Sequence, residues 1–549
     1  MLHIYIIMKP SSFCTMSTYK CCFELVGLLL SLSIYHPNET IYIIADSKTK
    51  DEIEKITPKP KLNIVWFVEL DSYSHMDRLI MDKKGIFGEF LKNKMKIINY
   101  ALNDNNDTLL LDSDIIITDT IDDIDLTKDV GLSPQFINEE YINKTGFYNA
   151  GMLWCKSNDV SDYWSSIIDN NDSCPEQINM IKLKKFNYFE FGENYNLQCW
   201  RYYLSTEGKE QIESYISIIN NKICYKTKPI KFIHTHFHDA RFKAFNQLII
   251  QHLINSKNYK ILLIIYRVIH NKWIIKVPKQ PISGLGSHNN DSFRQLPILY
   301  KVQHSDVDVQ YINNSIHCWI EPNVLLYDRP NLLWMNNEIF KSSLLLLGNG
   351  DIEVEGRTIK EKNNKLSVYP WIFWPRNAMV LEKILKKHNI KSYNDRSNES
   401  IFIGNIENST QQTYRNNAQW KDVITEYYCT TGKTHLFKQD EYLLKLRDSK
   451  FGLCLRGYGS KCHREVELMA FGTVPIITSE VCVHSFMEPL VENIHYICVK
   501  DPTDLQEKIK QVNQTQWEQM SNNCFDWYQR NVHSKNSWNT MIHRILFEL

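Results

Sequence analysis

The sequence has no excess of charge of either sign. Its 63 Lys and Arg residues balance its 63 Asp and Glu residues, so the net charge is zero. No global positive field is present that could hold a phosphate backbone. We therefore expect no nucleic-acid partner.

Long apolar runs and paired cysteines are also missing. The longest apolar run, near residues 25–34, is too short to cross a bilayer and lacks the cleavage site of a signal peptide. The 14 cysteines include no C-x-x-C pair, which excludes a zinc ribbon and a thioredoxin motif. We expect buried thiols in a reducing compartment, and hence a cytoplasmic protein without a transmembrane segment.

The first half of the chain alternates strand patterns with helix patterns. Strand patterns cover residues 3–8, 40–46, 63–70 and 107–117, and helix patterns cover residues 19–33 and 92–103. This alternation predicts an α/β fold with a Rossmann-like, mostly parallel sheet, whose ligands lie at the carboxyl ends of the strands. Asp46, at the end of one such strand, is a candidate ligand-binding residue.

The second half is predicted to be a different α/β module. It has strand patterns at residues 400–405, 451–455 and 474–478, and no repeat of fixed spacing relates it to the first half. Pro, Gly, Ser and Asn gather in the segment that separates the halves, which predicts a linker. The expected organisation is a first domain at residues 1–272, a linker at 273–303, one lobe of the second module at 304–395 and another at 396–549.

A pair of carboxylates follows the most apolar strand pattern. Asp112 and Asp114 come after the run TLLL, and side chains two apart in an extended chain point the same way. Two hard oxygen ligands suit Mg²⁺ or Mn²⁺ on a diphosphate. The same spacing at residues 123/125 and 306/308 lacks a preceding buried strand and is interpreted as solvated loops.

A histidine cluster lies downstream, with His234, His236 and His238 spaced by two residues. In an extended stretch these side chains would line one face, which suits metal or phosphate binding. Lys231 and nearby basic residues add positive charge. The spacing alone leaves open which histidine binds.

Three motifs in sequence order resemble nucleotide-sugar glycosyltransferases of the GT-A fold, in particular the group of glycogenin and the bacterial galactosyltransferases. They are Asp112-Ser-Asp114, FYNAGMLW at residues 147–154 and HTHFHD at residues 234–239. The resemblance implies that Asp112, Asp114 and His236 hold Mn²⁺, or Mg²⁺, on the diphosphate of a UDP-sugar, with Asp112 and Asp46 also contacting that donor. It covers roughly residues 1–250.

The same resemblance implies further site residues. Asn149 and Gly151 match the loop that lies against the donor sugar and the acceptor, and Gln177 in PEQINM takes the place of the Gln in an Asp-Gln pair. An inverting enzyme would need a carboxylate base and a retaining one would not, and the sequence identifies no base.

A glycine-rich turn followed by a charged helix pattern marks the second module. Gly457 and Gly459 allow the backbone to approach an anion, and Arg456 and Arg464 add cationic donors. Residues 400–493 resemble the carboxyl-terminal half of exostosin-like GT-B glycosyltransferases. That resemblance implies that Arg456 and Arg464 contact a diphosphate and Glu467 a ribose or sugar, without a bound metal.

The leading hypothesis is a bifunctional hexosyltransferase-type glycosyltransferase that acts on nucleotide-sugars and a glycan or glycoconjugate acceptor. Two alternatives remain. The second module could be a glycan-binding scaffold. Residues 123–127 spell D-x-D-x-T, the signature of haloacid-dehalogenase-type phosphatases, but no apolar strand precedes them.

Overall fold

The computed structural model describes most of the chain. The described ranges are residues 9–168, 174–279, 287–313, 318–326, 342–348, 353–354, 357–358, 368–370, 375–416, 418–432, 435–457, 460–484 and 486–549. The chain divides into two compact units, Met1–Lys272 with Ile545–Leu549, and Trp273–Arg544. The strand expected at residues 3–8 and the candidate residue Gly459 lie outside the described ranges.

The first unit is built on a seven-stranded sheet of order β3-β2-β1-β4-β7-β6-β8. The strands β1 to β4 are mutually parallel, and β7 runs antiparallel to β4 and β6. The strands of this unit are β1 (Phe13–Ser17), β2 (Thr40–Ala45), β3 (Asn63–Val68), β4 (Thr108–Leu111), β5 (Ile115–Ile117), β6 (Val130–Pro134), β7 (Tyr148–Cys155), β8 (Tyr188–Glu190), β9 (Leu197–Gln198), β10 (Ile216–Ile219), β11 (Lys222–Tyr225), β12 (Lys228–Pro229) and β13 (Phe232–His234).

Helices accompany this sheet. The helix Asn93–Asp104 packs its apolar residues, among them Ile97 and Ile98, into the same core as Ile44 and Leu110 of the sheet. The helices of the first unit are Cys22–Tyr35, Ser47–Ile53, Arg78–Lys83, Phe87–Leu91, Asn93–Asp104, Glu139–Thr145, Asn158–Ser166, Cys199–Leu204, Lys209–Tyr215, Lys243–Asn255 and Tyr259–His270. The predicted α/β fold with a mostly parallel sheet is confirmed.

One predicted strand is divided in the structure. Residues 107–117 form β4 and β5, which are separated by a turn at residues 112–114. The second piece leaves the main sheet and joins a small one of order β5-β13-β9. In this small sheet His234 lies opposite Ile115, which brings the histidine cluster beside the aspartates.

The second unit contains a six-stranded sheet of order β15-β14-β16-β17-β18-β21 and a five-stranded, fully parallel sheet of order β23-β22-β24-β25-β26. Its strands are β14 (Trp273–Pro278), β15 (Val307–Ile312), β16 (Cys318–Ile320), β17 (Val324–Leu326), β18 (Leu345–Gly348), β19 (Glu353–Val354), β20 (Arg357–Thr358), β21 (Val368–Pro370), β22 (Asn398–Ile406), β23 (Glu426–Thr431), β24 (Ser449–Cys454), β25 (Val474–Thr478) and β26 (Ile497–Val499).

The remaining helices follow in the same order. They are Ser287–Gln303, Ala378–Leu385, Ser409–Arg415, Ala418–Val423, Gln439–Arg447, His463–Met469, Pro502–Gln511, Gln514–Asn531 and Ser534–Phe547. The strands predicted at residues 400–405, 451–455 and 474–478 and the helix predicted after the glycine-rich turn are all present. Within the described residues, no helix combines the length and the apolar character needed to cross a membrane.

The segment 273–303 differs from the predicted linker. It begins with β14, which pairs with both β15 and β16, and it ends with the helix Ser287–Gln303. The apolar residues Trp273, Ile275 and Val277 are buried, and this burial holds β14 in the sheet. The glycines that suggested a linker lie in residues 280–286, outside the described ranges.

Candidate active site

The site in the first unit starts at the carboxyl end of β4. Asp112 follows this strand directly, and its backbone N–H donates to the Gly151 carbonyl oxygen at 2.8 Å. The chain then turns, so Asp112 and Asp114 do not lie on one face of an extended strand as predicted. Their carboxylates nevertheless converge, because one oxygen of each belongs to a group of ligand atoms that includes His234 and lies within 4.8 Å.

Two of the three histidines contact Asp114. His234 Nε2 lies 3.0 Å from Asp114 Oδ1, and His236 Nδ1 lies 3.1 Å from Asp114 Oδ2. His238 points elsewhere: its Nε2 is 3.0 Å from the Val268 carbonyl oxygen, and its ring packs edge-on against Phe23. The prediction that all three side chains line one face is therefore wrong for His238.

The third candidate metal ligand also differs from the predicted one. The group that contains both aspartates includes His234, whereas His236 belongs to a second group with Glu24 and Asp114. The pairing of β13 with β5 explains this placement, because it sets His234 directly beside the turn that carries Asp114.

Burial and neighbouring charges shift the pKa values of the side chains in this cluster. Burial acts to raise the pKa of Asp114, but the charges of His234 and His236 outweigh it and hold that pKa well below its usual range. Burial likewise acts to lower the pKa of His236, whereas contact with Glu24 and attraction to Asp114 raise it to about 9. Burial raises the pKa of Glu24. The imidazoles are thus the positive partners of these carboxylates, and a metal cation bound at the same atoms would replace their protons.

Lys94 is a functional candidate that the motifs did not identify. Its buried ammonium lies 2.7 Å from Asp112 Oδ1 and donates to the Ala150 carbonyl oxygen at 3.3 Å. It lies on the apolar face of the helix Asn93–Asp104, together with Ile97, Ile98 and Ala101. A lysine in the apolar stripe of an amphipathic helix was the sequence signal that could have found it.

Glu24 is a second candidate that sequence reasoning missed. It is the only charged residue of the helix Cys22–Tyr35, and its side chain is 11 % exposed. Its Oε1 lies 3.6 Å from His236 Nδ1. A single carboxylate in an otherwise apolar helix is the signal that marks it.

Asn149 organises the loop beside the aspartates. Its Oδ1 accepts the Gly151 N–H at 3.0 Å and the Asn196 side-chain amide at 2.9 Å, and its own amide donates to Gln198 Oε1 at 3.2 Å. The Asn196 Oδ1 in turn lies 3.1 Å from His234 Nδ1. A chain of amides thus connects the predicted residue Asn149 to the candidate ligand His234.

Gln177 supports the same loop from the other side. Its Oε1 accepts the Ala150 N–H at 3.1 Å, and its Nε2 donates to the Thr145 carbonyl oxygen at 2.8 Å. Burial raises the pKa of the neighbouring Glu176, and Glu176 Oε2 makes no hydrogen bond within the described residues. Both side chains of this pair therefore lie at the site that the motifs predicted.

Gly151 separates His234 from Asp112. A Cβ atom at this position would lie 2.5 Å from His234 Cε1 and 2.7 Å from Asp112 Oδ2. A side chain here would occupy the space in which the two ligand groups approach each other. The glycine is thus a requirement of the site.

Asp46 has a capping role instead of the predicted ligand-binding role. Its fully buried carboxylate accepts hydrogen bonds from the Thr49 N–H, the Thr49 hydroxyl and the Tyr19 N–H, at 3.0, 3.0 and 2.7 Å. It caps the helix Ser47–Ile53 and ties it to the chain after β1. No oxygen of this carboxylate is accessible to a ligand.

The alternative D-x-D sequences do not form comparable sites. Residues 123–127 lie in a loop between β5 and β6, where Asp125 Oδ1 accepts the N–H and hydroxyl of Thr127. Asp308 lies on β15 and pairs with Lys301 at 3.2 Å. The phosphatase signature therefore lacks the strand end that its chemistry needs.

In the second unit, the predicted residues Arg464 and Glu467 both lie on the helix His463–Met469. Arg464 Nε and Nη2 donate to the Ile403 carbonyl oxygen at 3.1 and 2.5 Å. Glu467 accepts the Arg376 backbone N–H at 2.8 Å and the Tyr442 hydroxyl at 2.7 Å. Both side chains are buried and bonded to protein groups.

The glycine-rich turn of this unit packs against protein as well. A Cβ atom on Gly457 would lie 2.4 Å from Cys462 Sγ and 2.9 Å from Arg415 Nη2. The Arg456 carbonyl oxygen accepts the Arg415 Nε–H at 3.0 Å. Arg456 and Gly457 therefore follow the carboxyl end of β24, and Arg464 contacts β22 at Ile403.

No protein-family model and no curated protein matches this chain. Solved structures that resemble it include the galactosyltransferase LgtC in complex with donor and acceptor sugar analogues (12 % identity, 43 % of this chain and 94 % of that chain, TM-score 0.27). They also include the glycosyltransferase GlyE of Streptococcus pneumoniae (10 % identity, 92 % of this chain and 98 % of that chain, TM-score 0.28). A third is the apo form of mouse xyloside xylosyltransferase 1 (10 % identity, 41 % of this chain and 97 % of that chain, TM-score 0.28). Because these TM-scores are low, the function is inferred below from the residues of the site.

Proposed function

We propose that the first unit is a metal-dependent glycosyltransferase that moves a sugar from a nucleotide-sugar, a UDP-sugar, to a hydroxyl group of a glycan or glycoconjugate. The observation that carries this proposal is the convergence of Asp112, Asp114 and His234 at the carboxyl end of β4, with ligand atoms within 4.8 Å of one another. Ligands of parallel α/β sheets bind at this edge.

The donor atoms fit a divalent cation. Two carboxylate oxygens and one imidazole nitrogen suit Mn²⁺, and Mg²⁺ with less preference because it favours oxygen ligands. When bound, such a cation supplies charge stabilisation to a departing nucleoside diphosphate.

The surrounding residues would fix the geometry of this site. Lys94 engages Asp112 Oδ1, whereas the space beside Gly151 leaves Asp112 Oδ2 facing His234. The amide network of Asn149 holds the loop rigid, and rigid positioning of groups around the reacting centre lowers the barrier to transfer.

The reaction exchanges one carbon–oxygen bond for another. The acceptor oxygen bonds to the anomeric carbon, the bond from that carbon to the diphosphate oxygen breaks, and the nucleoside diphosphate leaves with the electron pair. The proton of the acceptor hydroxyl passes to the departing diphosphate in a retaining reaction or to a carboxylate base in an inverting one. The positive charge of Lys94, next to Asp112, raises the local affinity for the anionic donor and product.

The test measures UDP release from a panel of UDP-sugars with Mn²⁺ and glycan acceptors. Asp112→Asn and Asp114→Asn should reduce turnover by about 100-fold or more, because each removes a charge that holds the cation. Asp123→Asn and Asp125→Asn are matched controls with the same spacing and should retain full activity. Full turnover in the first pair would contradict the proposal, and phosphatase activity that is lost in the second pair would support the alternative.

A second, metal-independent transfer by the second unit is the other part of the proposal. Its support is that Arg464 Nη1 has no hydrogen-bond partner within the described residues. Because this nitrogen is buried, an anion would bond to it only after neighbouring side chains move aside. Glu467→Gln should abolish this transfer while UDP release by the first unit continues. Without any such second transfer, this unit would fit the glycan-binding scaffold.

A further inference from the structure

The two oxygens of Asp114 face two different imidazoles. Oδ1 lies 3.0 Å from His234 Nε2, and Oδ2 lies 3.1 Å from His236 Nδ1. Each imidazole also has a further carboxylate beside it, Asp112 in one case and Glu24 in the other. Asp114 therefore belongs to two separate three-residue groups, each with ligand atoms within 4.8 Å of one another.

We propose that this site binds two divalent cations bridged by the Asp114 carboxylate, one held by Asp112 and His234 and the other by Glu24 and His236. The proposal deepens the proposed function and rests on it for the first cation. In two-metal sites the two ions lie about 3.5–4 Å apart, and a carboxylate that offers one oxygen to each ion can bridge that distance.

The charges of the group support this assignment. With both imidazoles neutral, as metal ligands must be, Asp112, Asp114 and Glu24 carry three negative charges and Lys94 supplies one positive charge. One divalent cation would bring the sum to zero. Two would leave it positive, which favours the binding of a diphosphate.

Exposure distinguishes the two positions. The side chains of His234 and Asp114 are 12 % and 10 % exposed, whereas that of His236 is 41 % exposed. The cation at His236 would therefore keep more water and bind more weakly, by about 10-fold or more. This position is the one that a donor diphosphate could complete.

The experiment counts Mn²⁺ bound per full-length chain by equilibrium dialysis and elemental analysis, with electron paramagnetic resonance on the same samples. We expect two ions per chain and a spin-coupled signal from a neighbouring pair. Glu24→Gln and His236→Gln should reduce the count to one and give the signal of an isolated ion. His238→Gln, whose imidazole lies outside both groups, should retain two ions and the coupled signal.

The possible outcomes separate this inference from the proposed function. A single ion in the wild-type protein, lost in Asp112→Asn but unaffected by Glu24→Gln, would overturn the second cation and leave the glycosyltransferase proposal intact. No bound ion at all would overturn both. Because a substitution in a buried helix can impair folding, Glu24→Asp serves as a second variant: it should retain both ions, with weaker binding of the second.

Discussion

Both units have charged side chains near the strands of a mostly parallel sheet, but the partners of these side chains differ between the units. In the first unit, the groups beside β4 are carboxylates and imidazoles that face one another, with ligand atoms close enough to hold a cation. In the second unit, Arg464 and Glu467 are bonded to backbone and hydroxyl groups of the protein. Carboxylates and imidazoles whose ligand atoms converge can hold a metal cation, whereas charged groups that are bonded to backbone and hydroxyl groups first stabilise the fold.

The largest effect that would sharpen this contrast is expected in the second unit. Arg464→Met should lower the free energy of unfolding by about 3–5 kcal/mol, because it leaves the Ile403 carbonyl oxygen without its donor and removes the cation beside the buried Glu465. Denaturant unfolding measures this change. Arg530→Met removes an exposed ion pair of the same unit and should cost less than about 1 kcal/mol. Equal losses in the free energy of unfolding for the two substitutions would contradict the structural role of Arg464.

The next prediction concerns the pH dependence of the second unit. Burial raises the pKa of Glu465 from 4.5 to about 7, so the native state binds this proton more tightly than the unfolded state. Stability from this group is present below pH 4.5 and is lost as the pH rises through 7. Glu465→Gln resembles the protonated form and should be more stable than the wild type at pH 8 by up to about 3 kcal/mol.

Thermal and denaturant unfolding between pH 4 and pH 8 measures the Glu465 effect. The Gln side chain keeps an oxygen that can accept the Cys462 N–H, as Glu465 Oε2 does at 2.5 Å. Glu441→Gln, on the exposed side of a neighbouring helix, is the control and should show no such trend. The same dependence of stability on pH in both variants would contradict the assignment of the effect to Glu465.

A smaller effect is expected from closing the gap at Gly151. Gly151→Ala should weaken Mn²⁺ binding and turnover in the first unit by about 10–100-fold, because the new methyl group would contact His234 and Asp112. Calorimetric titration with Mn²⁺ measures the binding. Gly192→Ala, where the nearest atom is the end of the Asn194 side chain, is the control and should bind Mn²⁺ normally. Unchanged affinity in both would show that the gap does not serve the ligand.

The smallest effect is expected at His238. Because its imidazole bonds the Val268 carbonyl oxygen and packs on Phe23, His238→Gln should change Mn²⁺ affinity by less than about 2-fold while destabilising the first unit by about 1 kcal/mol. His234→Gln, measured beside it, should lose most of the affinity. A strong loss in both variants would restore the three-histidine site that the spacing had suggested.

Motif spacing predicted part of the site. Asp112, Asp114, Asn149 and Gly151 do lie together, because the apolar strands that precede or contain them are strong local signals. Gln177 reaches the same loop from a turn, through its bond to the Ala150 N–H. The prediction was wrong for Asp46, because an aspartate after a strand and before a helix is equally a cap, and local sequence does not distinguish the two roles.

Contacts between distant segments could not be predicted from spacing. Lys94 and Glu24 join the site from helices whose patterns predict only burial, and they reach the aspartates through the packing of those helices. The prediction that the three histidines line one face was wrong for a similar reason. The chain leaves β13 at His234, so the alternation of an extended strand does not continue to His238.

The sequence by itself determined the α/β class, the carboxyl-end position of the two aspartates and the absence of a charge suited to nucleic acid, because these follow from local apolar patterns and composition. Only the tertiary structure decided which histidine faces Asp112 and which faces Glu24. That choice depends on the pairing of β13 with β5 across more than a hundred residues, and long-range strand register is set by the packing of the whole unit.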